Sequence, residues 1–529
     1  MRRARKAAAA AFFVFWSISA VHARDAAVAR EFMVAAAHPL AVEAGYDVLV
    51  RGGSALDAAI AVQLVLGLVE PESSGIGGGA FLLYWSEREH RLTSYDGRET
   101  APAAAKPDRF LDASGAPLAW HDAVLSGRSV GVPGVLRMLE RAHSVHGRLP
   151  WAELFRPAID LAERGFAPSP RLQRLLARQK DLHYGKRIGG LLVNTEYATT
   201  LRKIAEQGPR AFYEGDIADD IVSAARARGG DLAKSDFTAY RAVQREPVCA
   251  PHRVWRVCSM GPPSSGGIAV LQIIGILERT PFAAAPPQSA RALHFFAEAG
   301  RLAYADRARY LGDPDFVTVP VERLLAPAYL SRRARLIGER AMREALPGDL
   351  EAGTSHFSIV ERNGDAVAMT TTIEATFGSG IMADGFLLNN ELTDFDFMPG
   401  GANEVQPGKR PRSSMAPTMV FGPQGELRLI IGSPGGSVII NYVAKTLVGV
   451  LDWKLDLQAA IELPNFGGRN GPLEIESGSR YERLAPALIE RGHAVELAPL
   501  QSGLYGIERV PGGWRGGADP RRDGVAKGR

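Results

Sequence analysis

Two runs of strand-type residues around a turn stand out in the second half of the chain. After a Pro-Gly-Asp break, residues 353–360 (GTSHFSIV) combine β-branched and aromatic side chains, and residues 366–372 (AVAMTTT) form a similar run. Asn363-Gly364 between them is typical of a two-residue turn, because both residues tolerate positive φ. The pattern predicts a β-hairpin whose second strand returns Thr372 to within one residue of Thr354.

The predicted turn also sets the pairing register. A two-residue turn at this position places Ser355 opposite Thr372 and Thr354 opposite Ile373. Threonine is common in strands because its branched side chain packs well on a pleated surface, so an ordinary threonine-rich surface hairpin accounts for the pattern equally well. The pattern alone therefore predicts a hairpin and no chemistry.

Apolar periodicity predicts several helices around this hairpin. Residues 32–50 are alanine-rich and predicted to be helical, and residues 54–57 (SALD) resemble a capping box that opens an all-round apolar helix over 55–69. A strand is predicted over 80–85. Further helical stretches are predicted over 135–166, 268–277 and 290–310. No internal repeat or change in composition divides the chain, so we expect one large domain.

The first 23 residues differ from the rest of the chain. They hold four basic residues, then an apolar run over 7–21, then Val21-His22-Ala23, which has the character of a cleavage site. The run is shorter than the ~20 residues of a spanning helix, which favours a cleaved signal peptide over an uncleaved anchor. The four basic residues equal the net charge of +4, so the mature chain is neutral and nucleic acid is not an expected partner.

Neither the cysteines nor the histidines predict a metal site. Cys249 and Cys258 flank a short turn between strand-like runs. In an exported protein they can form a disulfide, and two unpaired buried thiols remain the alternative. The eleven histidines contain no His-Glu-x-x-His pattern, so we expect no metal and no cofactor.

The sequence disfavours two other functions, nucleotide binding and glycoside hydrolysis. The glycine-rich residues 75–79 lack the Gly-Lys-Ser/Thr ending of a phosphate loop and precede a strand rather than a helix. Glu374, Glu391 and Asp394 could serve as paired carboxylates of a glycosidase, but this requires one raised pKa that nothing in the sequence indicates. Close backbone packing is the better interpretation of the glycines, and substrate recognition is the better interpretation of the three acids.

Several motifs occur in order along the chain and together suggest a family. They are TSHFSIV from Thr354, TIEATFGSG from Thr372, LNNELTDF from Leu388 and GSPGGS from Gly432, preceded by DGRETAP from Asp96. This series resembles the γ-glutamyltransferase (glutathione hydrolase) family of N-terminal-nucleophile enzymes. The resemblance implies an α/β fold, the four-layer αββα sandwich of that class. It also implies that, after the signal peptide over 1–23, the chain consists of a large subunit over 24–353 and a small catalytic subunit over 354–529.

The resemblance implies that the precursor cuts itself between Gly353 and Thr354. The hydroxyl of Thr354 would then be the nucleophile, and its freed α-amine, with a pKa near ~7.7–8.0, is suited to act as its base. Thr372 would orient Thr354. The backbone N–H groups of Gly435 and Gly436 would form the oxyanion hole.

The resemblance also implies how a γ-glutamyl group is bound. Arg98 would grip the substrate α-carboxylate through its planar fork, and Asp394 foremost would accept hydrogen bonds from the α-ammonium. Glu374 and Glu391 are implied to make further contacts to the ammonium. Ser413 and Ser414 are implied to make further contacts to the carboxylate.

This chain departs from better-known family members in two places. Ser355 occupies a position where threonine is usual, which keeps the hydroxyl. Only eight residues separate Gly400 from Lys409, so we expect the aromatic-bearing lid of many members to be missing and the pocket to be more open.

We therefore expect an exported, self-cleaved enzyme whose two fragments form a heterodimer and which acts on glutathione and other γ-glutamyl compounds. A glutaryl-amide amidohydrolase of the cephalosporin-acylase type, on the same scaffold, is the nearest alternative. A non-catalytic periplasmic protein that binds acidic amino acids is the alternative from a different class. No membrane span is expected after the leader.

Overall fold

The computed structural model describes residues 26–179, 182–342 and 353–529. The expected signal peptide and the Pro-Gly-Asp break at 347–349 lie outside these ranges. The strands within them, numbered along the chain, are β1 (Ala27–Ala29), β2 (Met33–Ala36), β3 (Gly79–Ser86), β4 (Arg91–Gly97), β5 (Lys186–Ile188), β6 (Leu191–Val193), β7 (Val243–Arg245), β8 (Val248–His252), β9 (Trp255–Ser259), β10 (Gly353–Val360), β11 (Ala366–Glu374), β12 (Met382–Ala383), β13 (Phe386–Leu387), β14 (Thr418–Phe421), β15 (Leu427–Gly432), β16 (Phe466–Gly467), β17 (Leu473–Glu476), β18 (Val495–Ala498), β19 (Tyr505–Val510), β20 (Gly513–Ala518) and β21 (Val525–Gly528).

The α-helices of the same ranges differ widely in length. They are α1 (Pro39–Val50), α2 (Ala55–Val69), α3 (Trp120–Val124), α4 (Val135–His146), α5 (Arg156–Arg164), α6 (Pro170–Arg178), α7 (Thr195–Gln207), α8 (Arg210–Tyr213), α9 (Asp216–Ala227), α10 (Lys234–Ala239), α11 (Gly266–Leu277), α12 (Ala290–Tyr310), α13 (Val321–Leu325), α14 (Pro327–Ala334), α15 (Ile439–Leu447), α16 (Leu457–Glu462) and α17 (Ala485–Glu490). No helix in the described ranges has the length and apolar character needed to cross a bilayer.

Two antiparallel sheets of seven strands form the centre of the molecule. The first, sheet I, has the order β21-β2-β10-β11-β3-β4-β7, and the second, sheet II, has the order β1-β20-β19-β15-β14-β9-β8. The sheets face each other through β10, β11 and β2 on one side and β15, β19 and β20 on the other. Helices α1 and α2 cover the outer face of sheet I, and α11, α15 and α16 cover sheet II. The predicted four-layer αββα arrangement is confirmed.

Helix α2 shows why its sequence forms a buried helix. Ser54 Oγ accepts a hydrogen bond from Asp57 N–H at 3.0 Å, and Asp57 Oδ2 accepts one from Ser54 N–H at 2.9 Å. This reciprocal pair is the predicted capping box, and it satisfies two backbone donors at the helix start. All fifteen residues of α2 are buried, because the helix lies between α1 and the central strands β10 and β11.

Two helical predictions need correction. The stretch 32–50 begins with strand β2, which pairs between β10 and β21, and α1 starts only at Pro39. Sheet pairing overrides the helix propensity of alanine there. The stretch 135–166 is two helices rather than one, because Gly147 ends α4 and Pro150 precedes a short 3-10 turn before α5.

The hairpin of β10 and β11 forms as predicted, but its register was predicted wrongly by one residue. Thr354 pairs with Thr372, and Ser355 pairs with Thr371. The two threonines therefore lie directly opposite each other. The pairing is also irregular between Gly353 and Thr354, at the peptide bond of the expected cleavage.

The turn explains the shifted register. Glu361 N–H donates to Asp365 O at 2.9 Å, so the loop holds three residues rather than two. Gly364, at φ +93°, takes the left-handed conformation, and Asn363 does not. A type I turn followed by a left-handed glycine is the usual three-residue hairpin loop.

The two cysteines resolve the alternative left open by the sequence. Cys249 and Cys258 lie directly opposite each other on β8 and β9 and form a disulfide. Both belong to the part of the chain before Thr354, so this bond does not link the two expected fragments.

Candidate active site

The site is built around the hydroxyl pair of the central hairpin. Thr354 Oγ1 lies 3.4 Å from Thr372 Oγ1, and both residues are almost completely buried. Thr372 Oγ1 also accepts a hydrogen bond from Glu374 N–H at 2.8 Å. That contact fixes the Thr372 side chain on the sheet, so it can orient the Thr354 hydroxyl as the sequence suggested.

The backbone around the pair is held by buried polar groups. Arg522 Nη1 donates to the carbonyl oxygen of Thr354 at 3.0 Å. Ser355 Oγ donates to Glu70 Oε2 at 2.8 Å. The hydroxyl that serine shares with the threonine usual at this position therefore has a buried hydrogen-bond partner. Thr354 and Ser355 are thus held by contacts from distant parts of the chain.

The chain bends sharply as it leaves β11. Glu374 has φ +76°, a left-handed conformation that is uncommon for a residue with a side chain. Asn390 supports it, because its Nδ2 donates to Glu374 Oε2 at 2.6 Å and its Oδ1 accepts from Ala375 N–H at 2.8 Å. Such a conformation persists only where neighbouring contacts determine it, and it turns Glu374 into the cavity.

Two glycines follow β15 beside the pair. Gly435 has φ +134° and Gly436 has φ +55°, conformations that favour glycine. A side chain at Gly435 would place its Cβ 2.7 Å from the Tyr442 ring. Gly436 opens a 3-10 turn over Gly436–Val438 and lines the same cavity as Thr354. The loop can therefore present backbone N–H groups to a ligand at close range.

Arg98, directly after β4, is buried and paired with acids from another element. Its Nη2 lies 2.5 Å from Asp394 Oδ2, and its Nη1 contacts Glu391 Oε1. Its Nε donates to the carbonyl oxygen of Pro411 at 3.1 Å. Burial lowers the pKa of Arg98, but the neighbouring carboxylates outweigh burial and raise it overall. The predicted carboxylate-binding and ammonium-binding groups thus hold each other as an ion pair.

Three glutamates near Arg98, namely Glu374, Glu391 and Glu99, have raised pKa values. Burial, together with Asp394 and Glu391, raises the pKa of Glu374 well above its ordinary range. Burial raises the pKa of Glu391 to about 7, although Arg98 opposes the shift. Burial and Glu391 also raise the pKa of Glu99, which the sequence did not single out although it follows Arg98.

The two serines lie at the same end of the cavity as Arg98. Ser414 Oγ accepts a hydrogen bond from Arg307 Nη2 at 2.9 Å. Ser413 Oγ accepts one from Met415 N–H at 3.1 Å. Both hydroxyls keep a proton that they can donate to a carboxylate.

These residues converge on one cavity of about 300 Å³. Nine of the ten predicted catalytic and substrate-binding residues line it, and Gly435 is adjacent to Gly436 in the chain. The cavity is therefore lined by a hydroxyl pair, a glycine turn and a buried arginine with acids, which suits acyl transfer from a charged amide.

Comparison with known proteins agrees with this geometry. The family model described as Gamma-glutamyltranspeptidase matches residues 41–529. The glutathione hydrolase proenzyme of Bacillus subtilis (strain 168) is 37% identical over 545 residues, which cover 95% of this chain and 92% of that protein. The chain belongs to the gamma-glutamyltranspeptidase family.

A second relative and a solved structure are similar to this chain over almost its whole length. The glutathione hydrolase proenzyme of Escherichia coli (strain K12) is 37% identical over 535 residues, covering 93% of this chain and 91% of that protein. The crystal structure of cephalosporin acylase from Bacillus halodurans superimposes with a TM-score of 0.88 at 28% identity, over 98% of this chain and 99% of that one. The N-terminal-nucleophile fold of the family is confirmed over nearly the whole chain.

The family motifs do not include every charged residue of the cavity. The cavity is also lined by Arg307 from α12, by Arg412 and by Arg469, which follows β16. Arg412 stands beside the predicted Ser413, so the sequence offered a signal there. Arg307 and Arg469 come from segments with no such signal, and only the packing of distant elements brings them to the cavity.

One cluster outside the cavity has residues of metal-ligand type. One ligand atom from each of His294, Glu298 and His493 lies within 4.8 Å of the other two. His294 Nδ1 and His493 Nε2 are 2.8 Å apart, and His294 Nε2 lies 2.8 Å from the carbonyl oxygen of Gly338. Hydrogen bonds already use these three ring nitrogens, and none of the three residues lines the cavity.

Proposed function

We propose that this family member is a self-processing γ-glutamyltransferase and glutathione hydrolase with Thr354 as its nucleophile. The observation that carries the proposal is the Thr354–Thr372 hydroxyl pair at 3.4 Å in the same cavity as the Arg98–Asp394 ion pair. The relatives named glutathione hydrolase proenzymes support both the activity and the cleavage. We further propose that the enzyme is exported and that its fragments remain together as a heterodimer.

The first step is cleavage of the peptide bond between Gly353 and Thr354. The Thr354 hydroxyl adds to the carbonyl carbon of Gly353, and the C–N bond between the two residues breaks as the nitrogen takes the hydroxyl proton. Water then hydrolyses the resulting ester, which leaves a carboxylate on Gly353 and a free α-amine and hydroxyl on Thr354. The irregular strand pairing at this bond supports the assignment, because a regular ladder would hold the peptide away from attack. Glycine on the acyl side leaves the carbonyl open.

The second step transfers the γ-glutamyl group to Thr354. The α-amine takes the hydroxyl proton, Oγ1 bonds to the γ-carbonyl carbon, and the N–H groups of Gly435 and Gly436 bind the oxyanion. One such donor contributes roughly 2.7–4 kcal/mol in the transition state. Collapse of the intermediate breaks the C–N bond, and the departing amine takes the proton. Water or an amine then attacks the ester and frees Thr354.

Substrate recognition uses the ion pair already present. An α-carboxylate placed at Arg98 and an α-ammonium placed at Asp394 replace one charge contact with two. Ser413 and Ser414 lie beside the carboxylate, while Glu374 and Glu391 extend the acidic side. The two charges of a zwitterionic γ-glutamyl group are therefore complementary to those of Arg98 and Asp394, between which the group would bind.

A glutaryl-amide amidohydrolase is the second candidate. The observation that favours it is the whole-chain similarity to a structure named cephalosporin acylase. A glutaryl group carries the carboxylate that Arg98 would bind but no ammonium for Asp394. The two candidates therefore differ at one contact.

Exchange of Asp394 for asparagine separates them. Asp394→Asn should lower kcat/KM on γ-glutamyl amides by roughly 25-fold, since weakening a desolvated charged contact costs on the order of 2 kcal/mol. The same variant should spare glutaryl turnover. Arg98→Lys is the matched control and should impair both, because lysine cannot reproduce the fork. Equal losses from Asp394→Asn would refute this pocket assignment, and no turnover of either substrate would favour a binding protein.

A further inference from the structure

The cavity holds more arginines than a γ-glutamyl group uses. Four arginines line it, together with Glu374, Glu391, Asp394 and Asp396. A γ-glutamyl group has one α-carboxylate, which the proposed function places at Arg98. The other arginines are therefore candidates to bind another anionic group of the substrate.

Three of the arginines contact groups at the glutamyl end of the cavity. Arg98 pairs with Glu391 and Asp394. Arg307 donates to Ser414 Oγ beside the expected α-carboxylate. Arg412 Nη2 donates to Asp396 Oδ1 at 3.1 Å, and its Nη1 contacts backbone carbonyl groups.

The fourth arginine, Arg469, lies on the oxyanion side. Its Nη1 donates to Ser437 Oγ at 3.3 Å, and Ser437 directly follows Gly436 in the proposed oxyanion turn. Its side chain is 22% exposed, so the guanidinium reaches both the cavity and water. The leaving amine is bonded to the same carbon as the oxyanion, so it must emerge close to this turn.

We propose that Arg469 and Ser437 form a subsite for a carboxylate on the leaving group. The preferred substrates are then γ-glutamyl compounds of amino acids and peptides, rather than γ-glutamyl compounds of neutral amines. This inference rests on the proposed function. Ser437 supplies a hydroxyl donor and Arg469 supplies two N–H groups in a plane, which is the usual arrangement for a carboxylate.

Glu474 modulates this subsite. Its Oε1 accepts from Arg469 Nη2 at 2.9 Å, and the pair is partly exposed. A substrate carboxylate competes with Glu474 for the same guanidinium. Removing the Glu474 charge should therefore strengthen the preference for an anionic leaving group, whereas removing the Arg469 charge should abolish it.

The test uses γ-glutamylglycine and γ-glutamylglycinamide, whose leaving groups carry a carboxylate and a neutral carboxamide at the same place. The difference in amine basicity between them is the same for every variant, so it does not affect a comparison between variants. The measured quantity is the ratio of kcat/KM for the acid to that for the amide. We expect a ratio of about five for the wild type, the size of a partly exposed charge contact. The ratio should fall towards one in Arg469→Gln, remain intermediate in Arg469→Lys and rise above the wild-type value in Glu474→Gln. Arg480→Gln, at an exposed arginine outside the cavity, is the control and should keep the wild-type ratio.

The outcomes separate this inference from the function on which it rests. If the wild-type enzyme cleaves neither compound, the proposed function fails. If it cleaves both and the ratio is the same in the wild type, Arg469→Gln and Glu474→Gln, the subsite alone is refuted. If the Arg469→Gln precursor does not cleave itself, two other measurements still test the subsite. The ratio should rise in Glu474→Gln, and the wild-type ratio should fall as the ionic strength rises.

Discussion

At the residue scale, the account depends on the contact between two threonine hydroxyls. Thr372→Val keeps the branched shape but removes the group 3.4 Å from Thr354 Oγ1. We expect kcat to fall by about 100-fold with little change in KM, because the contact matters when the nucleophile attacks. The measurement is steady-state kinetics on a γ-glutamyl anilide, with processing checked on a denaturing gel. Thr372→Ser should retain most activity, and a valine variant of near wild-type kcat would show that the hydroxyl has no role.

A second residue-scale prediction concerns the pH dependence of stability. Burial raises the pKa of Glu391 from 4.5 to about 7, so the folded protein binds a proton there that the unfolded chain releases. This contribution is fully present below pH 4.5 and is lost as the pH rises towards 7, by up to about 1.4 kcal/mol per pH unit. Glu391→Gln should therefore flatten the fall in the free energy of unfolding between these values.

Urea unfolding of uncleaved Thr354→Ala protein, with and without Glu391→Gln, checks this prediction on a single chain. Asp108→Asn at an exposed acid of the surface is the comparison variant. Parallel pH curves for the parent and Glu391→Gln would mean that the Glu391 carboxyl is ionised throughout the range.

Sequence patterns find the residues of this site that lie within continuous motifs. Arg98, Asp394 and the Thr354 region all stand in runs of characteristic letters. Arg307 and Arg469 are surrounded by ordinary helix and loop residues, and their role depends on how α12 and the segment after β16 approach the cavity. Burial of Glu99 beside Glu391 likewise follows from packing, which no local pattern expresses.

At the element scale, the predicted elements are found, and the errors concern their boundaries and register. Asn363-Gly364 marks the turn correctly, yet a two-residue and a three-residue loop use the same residues and differ by one position in pairing. The strand Met33–Ala36 reads as helix because alanine carries no strand signal, and only its place between β10 and β21 makes it a strand. The register of the hairpin thus depends on the length of its turn, and the buried strand β2 is set by partners distant in sequence.

The start of α2 offers an element-scale prediction. Ser54→Ala removes the side-chain acceptor of the Asp57 N–H group and should lower the free energy of unfolding by about 1 kcal/mol. Ser54→Gly should lower the free energy of unfolding by only a few tenths of a kcal/mol, because glycine is tolerated at a helix start. Urea unfolding in the uncleaved Thr354→Ala background measures both. An alanine variant as stable as its parent would show that the capping box is not needed in this buried setting.

At the scale of the whole molecule, one prediction concerns the short loop between Gly400 and Lys409. We propose that this loop leaves the cavity more open, so γ-glutamyl anilides bearing large aryl groups should react nearly as fast as small ones, and water should compete well as acceptor. Comparing kcat/KM across neutral anilides of increasing size, with transfer and hydrolysis products measured together, tests this. Strong rejection of large anilides with predominant transfer would show that another element closes the cavity.

The arrangement of the sheets also governs what cleavage does. Sheet I takes β2, β3, β4 and β7 from before Thr354 and β10, β11 and β21 from the rest, and sheet II is mixed in the same way. Cut fragments would therefore stay bound by shared hydrogen bonds and a common core. Because the disulfide lies wholly before Thr354, they should separate in denaturant without reductant.

The identity of the new N-terminus tests the central claim most directly. N-terminal sequencing and intact-mass measurement of active purified protein should find two fragments that elute together under native conditions, and the smaller should begin at Thr354. Thr354→Ala should remain one inactive chain. Active protein that is uncut, or cut at a position other than the Gly353–Thr354 bond, would contradict the assignment of Thr354 as an N-terminal nucleophile.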